Sequence, residues 1–120
     1  MRDKILELEK SLFKLEYMSN EDYLKQVLHK NFLECGKSGY LYNQRVTIDS
    51  LLQCTENRPI TIYNFTYEEL ETNTYLIHYI TTKDNKKYYR TSIWKKIGNL
   101  PQLYFHQATE LHEDITLKES

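Results

Sequence analysis

Arg90, His106 and Glu34 are the residues whose types suit this 120-residue chain to chemistry. Arginine carries a permanent charge, so burying it requires a carboxylate or an anionic ligand. Histidine titrates near neutrality and can move a proton. A glutamate can pair with either. Three outcomes are open to such a trio. Arg90 and Glu34 can pair directly, filling the interior without chemistry. The three can line a cavity that orients a carboxylate-bearing ligand. Alternatively, His106 or Glu34 removes a proton α to a carbonyl, and Arg90 or a Tyr hydroxyl such as Tyr79 stabilises the oxyanion. Tyr79 reads first as a packed ring. Asp49 follows Thr47, where its charge complements a helix start.

Other chemistries lack their motifs. His29 and His112 fall at element ends and read as surface residues, and no HExxH or similar pair occurs, so no metal site is expected. Ser11, Ser38 and Ser92 have no GxSxG context. The segment Gly36-Lys37-Ser38-Gly39 reads as a turn needing left-handed backbone angles, since it lacks the order of a nucleotide loop. Lys83, Lys86 and Lys87 surround Asp84 in what reads as a solvated hairpin tip.

The elements that must position the trio are strands. Tyr75–Thr82, Lys87–Ile97 and Leu103–Ala108 are rich in Tyr, Ile, Thr and Trp, which suit a pleated surface. Lys83-Asp84-Asn85-Lys86 and Gly98-Asn99-Leu100-Pro101 have the composition of hairpin turns. Within each strand, period two makes Tyr88, Arg90, Ser92 and Trp94 one set of the middle strand, Tyr104, His106 and Ala108 one set of the last, and Tyr75, Ile77, Tyr79 and Thr81 one set of the preceding strand. Tyr79, Ser92, Trp94 and Tyr104 are candidate ligand-binding residues beside the trio. His78 lies on the opposite parity and reads as interface or surface. Both faces carry polar residues, which points to a polar cavity inside or a wet interface outside.

The earlier residues supply cover for the sheet. A helix is expected over residues 3–17 from Ile5, Leu8, Leu12 and Leu15. Ser19 is expected to cap a second helix ending near His29–Asn31, and Thr47 a short third one carrying Ile48, Leu51 and Leu52. Phe32–Cys35 and Tyr40–Tyr42 read as short strands, and a further strand is expected from Ile60 toward Leu70. The tail from Thr109 to Ser120 is expected to prolong the last strand or fray. The sum is an α+β domain spanning residues 1–120, with helices packed on a strongly curved, mainly antiparallel sheet.

Composition narrows the partners. The formal charge of -1 gives no support to nucleic acid or an anionic membrane. No segment resembles a signal peptide or a membrane span. Cys35 and Cys54 lack metal-ligand spacing and are expected to be free thiols in a cytoplasmic protein. No cofactor is implied. Eleven Tyr against four Phe suit a pocket or an interface.

Four short pieces, in order, carry a resemblance. They are Leu12-Phe13-Lys14-Leu15-Glu16, Phe32-Leu33-Glu34-Cys35-Gly36-Lys37-Ser38-Gly39, Arg90-Thr91-Ser92-Ile93-Trp94-Lys95-Lys96 and Tyr104-Phe105-His106-Gln107-Ala108-Thr109. Together they resemble the NTF2-like superfamily, also called the cystatin-like or SnoaL-like fold, and more narrowly the small bacterial DUF4440-type proteins. The resemblance implies a cone-shaped α+β domain, usually a homodimer through the sheet, with a ligand pocket between helices and sheet. Some members are isomerases, dehydratases or cyclases; others bind without reaction. By position, Glu34, Arg90, Ser92, Trp94 and His106 match the narrower group. Ala108 replaces its usual Gly, and the Trp that commonly opens the last strand is missing. The expected function is small-molecule binding, with an isomerase- or dehydratase-like enzyme and a non-catalytic interaction dimer as alternatives.

Overall fold

The computed structural model describes residues Met1–Ser120. Three helical segments lead: α1 (Arg2–Ser11), α2 (Leu15–Met18) and α3 (Glu21–Val27). Strands β1 (Leu28–Cys35) and β2 (Leu41–Asn43) form a hairpin, and α4 (Gln44–Leu52) follows. The chain then runs through β3 (Tyr63–Glu71), β4 (Thr74–Lys83), β5 (Lys86–Ile97) and β6 (Leu100–Leu111). These six strands form one sheet in the order β2-β1-β6-β5-β4-β3. Ile5, Leu24, Ile48, Ile77, Trp94 and Leu103 meet between helices and sheet in one apolar cluster. Burying each such side chain is worth about 1.5–3 kcal/mol, which fixes the helices to one face.

The α+β class and the four-strand meander agree with the sequence, and four of the five strand pairings are antiparallel; the strongly curved cone does not agree. The sheet is mixed and open: β1 runs parallel to β6, and β2 and β3 form its two free edges. The crossover through α4 carries the chain from one edge to the other, so no pairing joins those edges into a closed cup. The tail prolongs the last strand through Leu111, and its end then folds back rather than fraying. Glu119 bridges to Tyr63, the Asn64 N–H donates to the Lys118 carbonyl, and the Phe65 N–H donates to Ser120 Oγ at 3.0 Å. The start of the β3 edge is thereby covered.

Local chemistry explains the revised boundaries. The helix expected over 3–17 breaks after Ser11. There Lys14 is extended, the Arg58 N–H donates to the Phe13 carbonyl at 2.8 Å, and Asn57 Oδ1 accepts from the Leu15 N–H at 2.7 Å. Asn20 rather than Ser19 caps α3, accepting from the Tyr23 N–H. Asn43 rather than Thr47 caps α4, accepting from the Val46 N–H at 2.9 Å. Asp84 and Asn85 both have positive φ, 53° and 65°, as a two-residue turn of the hairpin type requires. In the next turn Gly98 has φ 62° and only Gly98-Asn99 lies outside the ladder, since Ile97 already faces Leu100.

The face opposite the helices carries an apolar row in register across four strands. Leu33 faces Phe105, Phe105 faces Ile93, and Ile93 faces Leu76. None of the four is buried. No helix of the chain is long and apolar enough to cross a membrane.

Candidate functional site

Register places the site residues before any side chain is considered. Across β1 and β6 Glu34 lies beside His106; across β6 and β5 His106 lies beside Ser92. Arg90 lies between Tyr79 on β4 and Ala108 on β6. All point to the helix-covered face, as period two requires. They border a cavity of about 390 Å³ that Glu34, Tyr79, Arg90 and His106 line together. Leu12 and Phe13 close it from the break after α1, Thr47 and Leu51 from α4, and Leu28, Phe32 and Leu103 from the apolar end.

A carboxylate that sequence reading missed organises the wall behind this cavity. Glu9 of α1 is 2% exposed and accepts from the Tyr79 hydroxyl at 2.7 Å and from Trp94 Nε1–H at 2.9 Å. Ser92 Oγ lies 2.7 Å from His106 Nδ1 in the same wall. Arginine can only donate, and Arg90 Nη1 lies 3.4 Å from His106 Nε2, so Nε2 holds the lone pair and Nδ1–H donates to Ser92 Oγ. One chain of hydrogen bonds thus runs from Arg90 through His106 to Ser92, and it fixes the imidazole tautomer.

The electrostatics follow from burial and from Arg90. Burial pushes the Glu9 carboxyl up, while the nearby Ser92 hydroxyl, the hydrogen bonds from Trp94 and Tyr79 and the Arg90 charge pull it back. Burial, and then the charge of Glu9, hold the Tyr79 hydroxyl well above its usual range. His106 is lowered to about 3, first by burial and then by the charges of Arg90 and Arg58. It is a neutral hydrogen-bonding group at physiological pH, a poor general base. Burial raises Glu34, partly offset by Arg90 and Arg58.

Arg90 has no carboxylate partner. Its Nε donates to Thr81 Oγ1 at 2.8 Å, its guanidinium lies 5.9 Å from the Phe13 ring, and no ion pair forms with Glu34. The direct Arg90–Glu34 pair that would fill the interior is therefore absent. Arg58 stands at the same cavity, its guanidinium 4.7 Å from the Phe13 ring. Thr47, rather than capping α4, faces the cavity, and its buried Oγ1 has no partner.

The other expected residues separate into wall and exterior. Ser92 and Trp94 are fully buried behind the lining, where they hold His106 and Glu9. Tyr104 is not at the cavity. A β-bulge opposite Ile93 and Trp94 makes Trp94 face Leu103 and Ile93 face Phe105, leaving Tyr104 as the extra residue. Its ring packs on His29 at 5.0 Å and under Lys95 Nζ at 4.4 Å. Leu103 takes its expected place beside His106. Asp49 pairs with Arg45 at 2.6 Å on the surface of α4. His78 bonds Thr91 on the far face. Cys35 and Cys54 are free thiols, and no three His, Cys, Asp or Glu side chains converge as a metal ion would need. Glu9 had one sequence signal: it lies four residues after Ile5 and three before Leu12, within the apolar stripe.

No protein-family model and no curated protein matches the sequence. Solved structures do resemble the fold. An NTF2-like protein from Cytophaga hutchinsonii superposes with a TM-score of 0.73 at 18% identity, covering 92% of this chain and 98% of that one. An NTF2-like protein of unknown function from Prochlorococcus marinus gives 0.73 at 17% identity, over 93% and 94% of the two chains. A putative calcium/calmodulin-dependent kinase II association domain from Exiguobacterium sibiricum gives 0.63 at 17%, over 94% and 93%. With helices on one face of a six-stranded mixed sheet and a cavity between them, the chain has the NTF2-like fold.

Proposed function

We propose that this chain is a small-molecule-binding domain, residues 1–120 acting as one unit, whose cavity takes a small organic anion. One observation carries the reading: Arg90 presents a charge without a carboxylate partner to a cavity of about 390 Å³. A guanidinium in a half-buried site calls for an anion, and a carboxylate matches its fork of donors. The cavity has the size and mixed lining of a ligand site. The unpartnered Thr47 hydroxyl supports a guest with a hydrogen-bonding group. DUF4440-type kinship, a cytoplasmic setting and a homodimer belong to the same reading, the second supported by the two free thiols. Hydrocinnamate, an aromatic monocarboxylate, is the test probe. Calorimetric titration is expected to show saturable binding that weakens at least about tenfold in Arg90→Gln, the size of a lost charged hydrogen bond. Equal affinity in the variant, or no binding by the parent, overturns the proposal.

Glu34 favours a second reading, proton transfer of the isomerase or dehydratase kind. Its carboxyl is raised, lines the cavity and has no hydrogen-bond partner, while Arg90 on the same cavity would stabilise an oxyanion. In this version Glu34, not His106, is the base. Exchange of a carbonyl compound's α-proton for deuterium, absent in Glu34→Gln, is its signature.

A further inference from the structure

A second space adjoins the cavity. It is an open groove of about 500 Å³ between the segment after α4 and the ends of β4 and β5. Both spaces are bordered by Phe13, Lys37, Cys54, Arg58 and Arg90, so these residues stand at their junction. Lys83 adds a fourth cation on the groove side, where Glu56 is the only acidic lining residue. None of the four cations has a carboxylate within 4 Å.

These charges are close enough to affect one another. Lys37 Nζ lies over the Tyr88 ring at 4.6 Å. Its ammonium is lowered, first by desolvation and then by Lys83, Arg90 and Arg58. Arg58 is lowered likewise by desolvation and then by Arg90. Four cations gathered around one junction repel each other, and an anion bound among them relieves that repulsion. One carboxylate at Arg90 and Arg58 leaves Lys37 and Lys83 without an ion-pair partner, with only the charge of Asp84 opposing the cations at Lys37.

We propose that the ligand is an organic dianion, with one carboxylate at Arg90 and Arg58 and a second anionic group in the groove between Lys37 and Lys83. Its apolar body lies in the inner cavity against Leu28, Phe32 and Leu103. The proposal rests on the reading of the cavity as an organic-anion site. Arginine at the inner position suits planar, bidentate recognition, while lysine at the exposed rim acts as a point charge and tolerates a carboxylate or a phosphate.

Phenylsuccinate and hydrocinnamate differ by one carboxylate and form the matched test pair. Calorimetry is expected to show phenylsuccinate binding about fivefold more tightly, the size of two solvent-exposed charge contacts. In the double variant Lys37→Ala/Lys83→Ala that advantage disappears, and the two acids bind with equal affinity. Both lysines are exposed, so their removal leaves the fold intact. Equal binding of the two acids by the parent, or an advantage that survives in the double variant, overturns the dianion while leaving the anion site standing. Failure of both acids to bind overturns the dianion and the site together.

Discussion

Glu9 is the acceptor on which Tyr79 and Trp94 converge, and removing it leaves two donors without partners in a dry interior. A buried donor left unpaired costs about 1–3 kcal/mol. Glu9→Ala is therefore expected to destabilise the fold by about 3 kcal/mol in urea unfolding. A loss under about 1 kcal/mol would mean that the donors find other acceptors. His106, held between Arg90 and Ser92, governs the acid limb of stability. Its folded value of about 3 lies below the ordinary 6.5. The fold thus holds the neutral ring, a contribution fully present above pH 6.5 and lost as the pH falls toward 3. At about 1.36 kcal/mol per unit the loss reaches several kcal/mol. Glu9 and Glu34 act in the opposite sense: their raised carboxyls contribute most below pH 4.5 and lose that contribution as the pH rises through their folded values. His106→Asn keeps a donor for Ser92 but cannot protonate. Its stability is expected to vary less between pH 3 and 6.5 than the parent's, and parallel curves would refute the assignment. Parity and two hairpins set the register that joins Arg90, His106 and Tyr79, so these were legible; Glu34 was legible only by residue type, because the parallel β1–β6 pairing that brings it to His106 has no local signal. Glu9 was not, because its partners lie 70 and 85 positions away in sequence, and a helix shows its face but not what meets it.

At the scale of elements, α4 brings Thr47 and Leu51 to the cavity, and Asn43 sets where that helix starts. Asn43→Ala removes the acceptor for the Val46 N–H and is expected to cost about 1 kcal/mol. Thermal unfolding should shift down by about 4 °C. Thr47→Val, which changes the residue expected from sequence to cap the helix, should leave helix stability near the parent's, since no backbone amide bonds that hydroxyl. A larger loss in Thr47→Val than in Asn43→Ala would reverse the assignment. The elements themselves were legible because alternation and turn residues are local signals. The break after α1 was not, because Asn57 and Arg58 hold it from a distant loop. The bulge at Tyr104 was missed for a related reason. One inserted residue exchanges the faces of everything before it, and the composition Leu-Tyr-Phe-His gives no sign of where it falls.

For the molecule as a whole, the two faces of the sheet carry different problems. Polar residues on both were legible from the strands, and the inner set resolves into the cavity wall. The outer set does not resolve within one chain. Leu33, Phe105, Ile93 and Leu76 form a row across the sheet, and Leu33 remains 41% exposed. An open sheet face of this kind suits self-complementary pairing about a two-fold axis, in which the row of one copy crosses that of its partner. A stable pairing needs about 800 Å² from each partner, and a row spanning four adjacent strands supplies the apolar centre of such a patch. The neighbouring row of Cys35, Gln107, Thr91 and His78 would form a polar rim beside it. Sedimentation at high micromolar concentration is therefore expected to give a dimer. Phe105→Lys puts a charge at the centre of the row, where burial against a second copy is costly. That variant should sediment as a monomer with unchanged far-ultraviolet circular dichroism and unchanged hydrocinnamate binding, because Phe105 points away from the cavity. A monomeric parent, or a Phe105→Lys variant that stays dimeric, would move the contact to another surface.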